Sequence, residues 1–185
     1  GSFEQRHIDI LCHIKKVVKI PVIMKLGSNL TNPVALINQL YANGAAAVVL
    51  FNRFYQTDIN IDTMAFTSAN VMSTPNELPD RLRWTAIASA AVPRLDYAVS
   101  GGVHCGKGVI KSILAGAAAV EVCSVIYQYG AKEIENMKKE LSERMDEKGY
   151  ESLSQFKGKM NAESAGEINP FERTQFMRYY SNREE

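Results

Sequence analysis

Apolar residues along this chain follow two alternating rhythms. Phe3 to Val18 carries them at helical spacing, with Ile10, Ile14, Val17 and Val18 on or near one face. Pro21-Val22-Ile23-Met24-Lys25-Leu26 is nearly continuous in its apolarity, as in a parallel strand covered on both sides. Asn32 and Pro33 then open a helix, Asn32 as its N-cap and Pro33 at its first position, and Asn43-Gly44 closes it. Ala46 to Phe51 predicts a second strand. Two more strands, Leu95 to Ser100 and Ala119 to Cys123, follow the helices Asp80 to Ala91 and Gly106 to Ala115. A last long helix runs from about Ala131 to Lys148. Ile134, Met137, Leu141 and Met145 form its apolar stripe, expected to pack in the core, and Gly149 stops it.

The segment from Asn52 to Pro79 breaks this rhythm. It is too long for an ordinary strand-to-helix loop. Asp58-Ile59-Asn60-Ile61-Asp62 alternates, so a small hairpin or flap is expected within it. Long loops of this kind carry function more often than framework.

The order is one helix followed by four βα units, hence α/β architecture with a parallel sheet and right-handed crossovers. A complete (β/α)8 TIM barrel takes roughly 250 residues. The chain therefore reads as the C-terminal half of such a barrel over residues 1–160, with a tail over 161–185. In the tail, Asn169-Pro170 with Glu172 marks a helix start, and Phe176, Tyr179 and Tyr180 share one face. A short docking helix is expected there. Four parallel strands leave two open edges, which must be covered. Pairing with a second copy, or with a missing N-terminal half, is the expectation.

Composition narrows the function classes. The net charge is +1 and the basic residues are dispersed, which argues against a nucleic-acid or membrane-surface partner. No apolar run is long enough to span a bilayer and no secretory leader is visible, so a cytoplasmic location is expected. Cys12, Cys105 and Cys123 are odd in number, and with His7, His13 and His104 they match no metal or disulfide spacing. They read as reduced thiols, Cys12 as helix packing, and no metal is expected.

The chemistry concentrates at strand ends. Tyr97-Ala98-Val99-Ser100-Gly101-Gly102-Val103 and Ala119-Val120-Glu121-Val122-Cys123-Ser124 each run from an apolar stretch into small residues and then a helix. Taken singly, either is as consistent with a tight turn or a plain strand end. Taken in order, they match the last two βα loops from which a barrel builds a phosphate site. Glycine lets backbone N–H groups approach a phosphate, and a side chain at Gly101 or Gly102 would block that approach. Ser124 adds a hydroxyl. Alternation along the first strand places Ile23 and Lys25 on one face and Val22, Met24 and Leu26 on the other. Lys25 is then either an inward group at a strand's C-terminal end, where barrels keep catalytic residues, or a lysine snorkelling from that end.

Five segments together resemble the C-terminal half of the dihydroorotate dehydrogenase family, in particular its class 1-like members. They are Val22-Ile23-Met24-Lys25-Leu26, Val49-Leu50-Phe51-Asn52, Ser100-Gly101-Gly102-Val103, Val122-Cys123-Ser124 and Lys148-Gly149-Tyr150-Glu151-Ser152. The resemblance runs from the first helix to about Met160. It implies a (β/α)8 barrel holding FMN at its strand ends and oxidising dihydroorotate, or a related dihydropyrimidine, to orotate in pyrimidine biosynthesis. By position it places Lys25 beside the pyrimidine edge of the flavin, where a cation supports charge building on the ring. It makes Asn52 a contact to a small pyrimidine substrate, since an amide both donates and accepts. It makes Ser100, Gly101, Gly102, Cys123 and Ser124 the phosphate cradle.

The departures from that family are specific. Cys123-Ser124 stands where Gly-Thr is usual, and the glycine-rich run before the third helix is absent. Arg53 stands where a small residue is usual, and either binds a carboxylate or forms a surface ion pair. The family's catalytic base, a cysteine or serine, lies upstream of the first helix seen here. The resemblance thus implies an enzyme for a longer parent and no turnover by these 185 residues alone. Two readings compete with it. One is a barrel enzyme in which Lys25 forms a Schiff base to a phosphorylated carbonyl compound. The other is a non-catalytic half-barrel that self-associates through its open edges.

Overall fold

The computed structural model describes residues 3–164 and 171. Helix α1 (Phe3–Val17) leads into β1 (Ile23–Gly27), α2 (Pro33–Ala42) and β2 (Ala47–Asn52). After an excursion carrying β3 (Thr57–Asn60) and β4 (Ala65–Ser68), a short 3-10 turn at Pro75–Glu77 enters α3 (Leu78–Ala91). Then come β5 (Asp96–Ser100), α4 (Gly106–Leu114), β6 (Ala119–Glu121), α5 (Ser124–Tyr129) and α6 (Lys132–Lys148). The main sheet has four parallel strands in the order β1-β2-β5-β6. Each strand pairs with the next one of this sheet along the chain and the order never reverses, as in half of a (β/α)8 barrel and unlike an open doubly wound sheet. The predicted fold class is therefore the observed one. No helix among the described residues is long and apolar enough to cross a membrane.

Alternation sorts the strands into two faces. Leu26, Val48, Leu50, Tyr97 and Val99 point outward and are fully buried beneath the helices. Leu36, Ile37 and Leu40 of α2, Leu11 of α1, and Ala88 and Val92 at the end of α3 complete the main core with them. The inner residues Ile23, Lys25, Val49, Ala98, Ala119 and Glu121 line an open concavity of about 510 Å³.

Local signals explain most element ends. Asn32 Oδ1 accepts from the Ala35 amide at 3.0 Å, and Pro33 occupies the first turn of α2. Gly149 closes α6 in the left-handed region at φ +65°. Two expectations need correction. The buried face of α1 is Ile8 and Leu11, whereas Ile10 and Val17 are exposed. Only Met137 of the α6 stripe is buried; Ile134 stays exposed, and an apolar groove of about 320 Å³ remains between α6, α4 and β6. The six-residue α5 was not foreseen, being too short to show a period. The expected aromatic tail helix lies outside the described residues.

The segment after α6 returns to the base of the sheet. Phe156 is buried and stacks on Tyr150 at 5.0 Å, with the Lys159 ammonium 4.7 Å from the Tyr150 ring centre. Lys157 reaches Asp96 at 2.9 Å, and the amides of Gly158 and Met160 donate to the carbonyls ending α4. This strap lies at the opposite end of the sheet from Ser100 and Ser124, so it stabilises rather than reacts.

Two substitutions test this packing. Tyr97 is buried on β5, and its hydroxyl donates to the carbonyls of Ala88 and Val92 at 2.8 and 2.9 Å. Burial pushes its phenol well above the ordinary value. The folded state thus holds a proton that the unfolded chain releases near pH 10, so stability is intact below that pH and falls as pH rises beyond it. Tyr97→Phe is expected to cost about 1 kcal/mol at neutral pH and to flatten the alkaline decline, read by urea unfolding at two pH values. At Gly102, φ is +79° and an added Cβ would lie 2.4 Å from the Leu78 amide nitrogen. Gly102→Ala should destabilise by at least ~2 kcal/mol, seen as a lower urea midpoint with unchanged slope.

Candidate functional site

The C-terminal ends of the four parallel strands open into one cleft of about 590 Å³. All seven residues singled out from the sequence line it: Lys25, Asn52, Ser100, Gly101, Gly102, Cys123 and Ser124. Topology brings them together from four separate strands. Asn52 is the last residue of β2 and pairs with Gly27 of β1. Ser100 ends β5, and the chain then turns through Gly101 and Gly102, both at positive φ.

Lys25 meets a partner that sequence reasoning missed. Its Nζ lies 2.7 Å from Glu121 Oε2, and both side chains are 44% exposed. Lys25 sits on β1 and Glu121 on β6, the two outermost strands of the sheet. Neighbouring strands lie about 4.8 Å apart, so a flat sheet would hold these residues too far apart. The pair closes because the sheet curls, and it spans the concave side. Alternation on β6 was the available signal, since it sets Glu121 on the same face as Ala119.

The cradle is tied to the long excursion. The Ser73 amide and hydroxyl both donate to Ser124 Oγ, at 2.8 and 3.0 Å. Ser73 Oγ also lies 3.0 Å from His104 Nε2. Ser124 then accepts twice and keeps its own O–H for the cleft. Ser73 and His104 had no local signal, because only the fold returns the excursion to β6.

Arg53 is the second tie. Its Nε contacts both carboxylate oxygens of Glu77 at 3.2 Å, while Nη1 and Nη2 donate to the carbonyls of Val71 and Asn70 at 2.7 and 2.6 Å. Of the two roles left open for Arg53, the ion pair is the one observed, but with Glu77 and largely buried instead of at the surface. It clamps the start of the excursion to its end.

The glycine argument also shifts. The space beyond Gly102 is filled by the Glu77–Leu78 backbone at the start of α3, not kept free for a ligand. Gly102 is glycine because the turn packs against α3. Behind Gly101 stands the Arg81 guanidinium, whose buried Nε has no hydrogen-bond partner. Its charge is shared with Asp80 and Glu77, at 3.1 and 3.7 Å. The N-terminus of α4 is not free, because Glu140 of α6 accepts from the Lys107 amide at 3.1 Å.

The donor set fits the phosphate end of a flavin nucleotide through the hydroxyls at Ser100 and Ser124 and the small-residue turn at Gly101-Gly102. It fits the ring end less simply, since Glu121 shares the position with Lys25.

No protein-family model matches the chain. Among curated proteins, the catalytic subunit of dihydroorotate dehydrogenase B (NAD(+)) from Thermoplasma volcanium is 30% identical over 153 residues, covering 81% of this chain and 50% of that protein. A probable dihydroorotate dehydrogenase A (fumarate) from Enterococcus faecalis is 40% identical over 75 residues, covering 40% of this chain and 24% of that protein. The dihydroorotate dehydrogenase (fumarate) of Lachancea kluyveri is 34% identical over 70 residues, covering 38% of this chain and 22% of that protein. The chain thus matches half or less of the length of each of these relatives. Agreement between these matches and the half-barrel relates the chain to the dihydroorotate dehydrogenase family.

Proposed function

We propose that this half-barrel belongs to an FMN-dependent oxidoreductase acting on dihydroorotate or a related dihydropyrimidine, and that it supplies the cofactor anchor. The observation that carries this reading is the convergence of Lys25, Asn52, Ser100, Gly101, Gly102, Cys123 and Ser124 on one cleft. When bound, FMN supplies the hydride acceptor for a C–C oxidation.

Each residue of the chain then has a physical task. The Ser124 O–H, left over after its two bonds from Ser73, donates to the phosphate. Ser100 and the Gly101-Gly102 turn close around that group, with the Arg81 guanidinium, itself paired with Asp80 and Glu77, behind them. Lys25 holds a positive charge at the far end of the cleft, and Glu121 fixes where that charge stands. Asn52, exposed at the end of β2, offers an amide to the edge of a pyrimidine. The base that takes the substrate proton is assigned to no residue of this chain.

The Schiff-base reading is less well supported, because an ammonium held 2.7 Å from a carboxylate is a poor nucleophile. Failure of borohydride to trap a phosphorylated carbonyl compound on Lys25 is the expected result.

The test is titration of the chain with FMN, followed by quenching of flavin fluorescence, with riboflavin as the phosphate-free control. FMN should bind more tightly than riboflavin. Ser124→Ala should weaken FMN roughly tenfold or more and leave riboflavin unchanged, as expected for loss of a hydrogen bond to a charged group. Equal affinity for the two flavins, or none for either, refutes the anchor. Glu121→Gln should tighten FMN only about threefold, since a half-exposed pair is well screened, and the gain should fade as salt is added.

A further inference from the structure

One titratable group beside the cleft has no task so far, the His104 ring. Its Nε2 lies 3.0 Å from Ser73 Oγ, and Ser73 donates to Ser124 Oγ through its amide at 2.8 Å and its hydroxyl at 3.0 Å. Ser73 is buried, and His104 and Ser124 are half-buried. Ser73 and Ser124 line the cleft, while His104 stands behind them. Ser73 is the ring's hydrogen-bond partner among the described residues, so the ring acts on the cleft by that route.

One proton decides the direction of this chain of groups. A serine hydroxyl carries a single hydrogen and both donates and accepts. When Nε2 bears a proton it donates to Ser73 Oγ, and the Ser73 hydroxyl gives its own hydrogen to Ser124. That is the direction taken by the bond between the two serines. Ser124 Oγ then accepts twice, and its own O–H is turned to the cleft. When Nε2 is bare it draws the Ser73 hydrogen to itself. Ser73 Oγ is then an acceptor, and the Ser124 O–H turns back to it and away from the cleft. An imidazolium always has a proton on Nε2, whereas a neutral ring keeps its proton on one nitrogen or the other.

The titratable groups on the elements around the ring have other attachments. Glu140 of α6 accepts from the Lys107 amide at the start of α4, and Glu77 is held by Arg53 and Arg81. Cys105, just before α4, and Cys123, just before α5, are exposed to solvent. The proton on the ring therefore answers to pH and to an anion in the cleft.

We propose that His104 is a positioning residue for the phosphate end of the cleft: its protonated ring drives the hydrogen bonds through Ser73 so that the Ser124 hydroxyl points at the phosphate. This rests on the flavin-nucleotide reading and adds a regulation to it. Binding of the phosphate takes up a proton at His104, and by reciprocity low pH favours binding. The ligand's own titration runs the other way, since a phosphate monoester loses charge as pH falls.

The test is titration of the whole chain with FMN between about pH 5 and pH 8, where histidine changes charge, with riboflavin as the phosphate-free control. His104→Leu should weaken FMN about tenfold, leave riboflavin unchanged, and add nothing to the loss from Ser124→Ala, because both act at one hydroxyl. His104→Gln, whose amide nitrogen is a permanent donor, should restore the affinity and show the pH profile of the ligand alone. Relative to that profile, wild-type affinity should fall as pH rises. Nitrogen NMR of the wild-type ring reads the same device without a substitution: FMN, and not riboflavin, should raise the pH at which His104 titrates and place a proton on Nε2. FMN affinity indifferent to His104→Leu, or a wild-type profile that matches His104→Gln, overturns the proposal and leaves the anchor standing. If the leucine variant fails to fold, a His104 titration unmoved by FMN overturns it alone. Equal affinity of the wild-type chain for FMN and riboflavin overturns both.

Discussion

The one-sided burial of a curled parallel sheet sets every other feature of this protein. Leu26, Val48, Leu50, Tyr97 and Val99 seal the outer face against the helices, and the Tyr97 hydroxyl is paired there with two carbonyls. Because side chains alternate, the same strands must present Lys25, Ser100 and Glu121 to the inner side. Hydrophobic packing on one surface therefore decides where the chemistry stands on the other. The curl itself is needed for Lys25 and Glu121 to meet from the two outermost strands.

Charge around the cleft is arranged in pairs. Behind the Gly101 turn the Arg81 guanidinium lies 3.1 Å from Asp80 and 3.7 Å from Glu77, Arg53 shares Glu77, and at the other end a single carboxylate holds a single ammonium. Each cation near the cleft thus stands beside its own carboxylate. What the turn and the Ser124 hydroxyl present to the cleft is hydrogen-bonding capacity more than net charge.

Much of this was legible in the residues themselves. Asn32 and Pro33 announced α2, and Gly149 the end of α6, because caps are local. Lys25 was readable as inward because alternation needs only the strand. Alternation applied equally to β6 would have found Glu121. Other features depend on contacts between distant segments. Ile10 and Val17 looked as fit for burial as Ile8 and Leu11, since which side of α1 meets α2 is settled by the sheet below. Gly102 was read as a phosphate glycine, but its constraint comes from the backbone of α3. Arg53 had two equally reasonable roles until Glu77 was brought beside it.

The bond from Ser73 to Ser124 has a consequence of its own. One short loop joins the Ser124 end of the cleft to the hairpin, so order in one bears on order in the other. Whatever sharpens the position of Ser73 narrows the motion of the strands behind it, and whatever immobilises those strands prepares the hydroxyl at Ser124. By reciprocity the free-energy gain is the same in either direction.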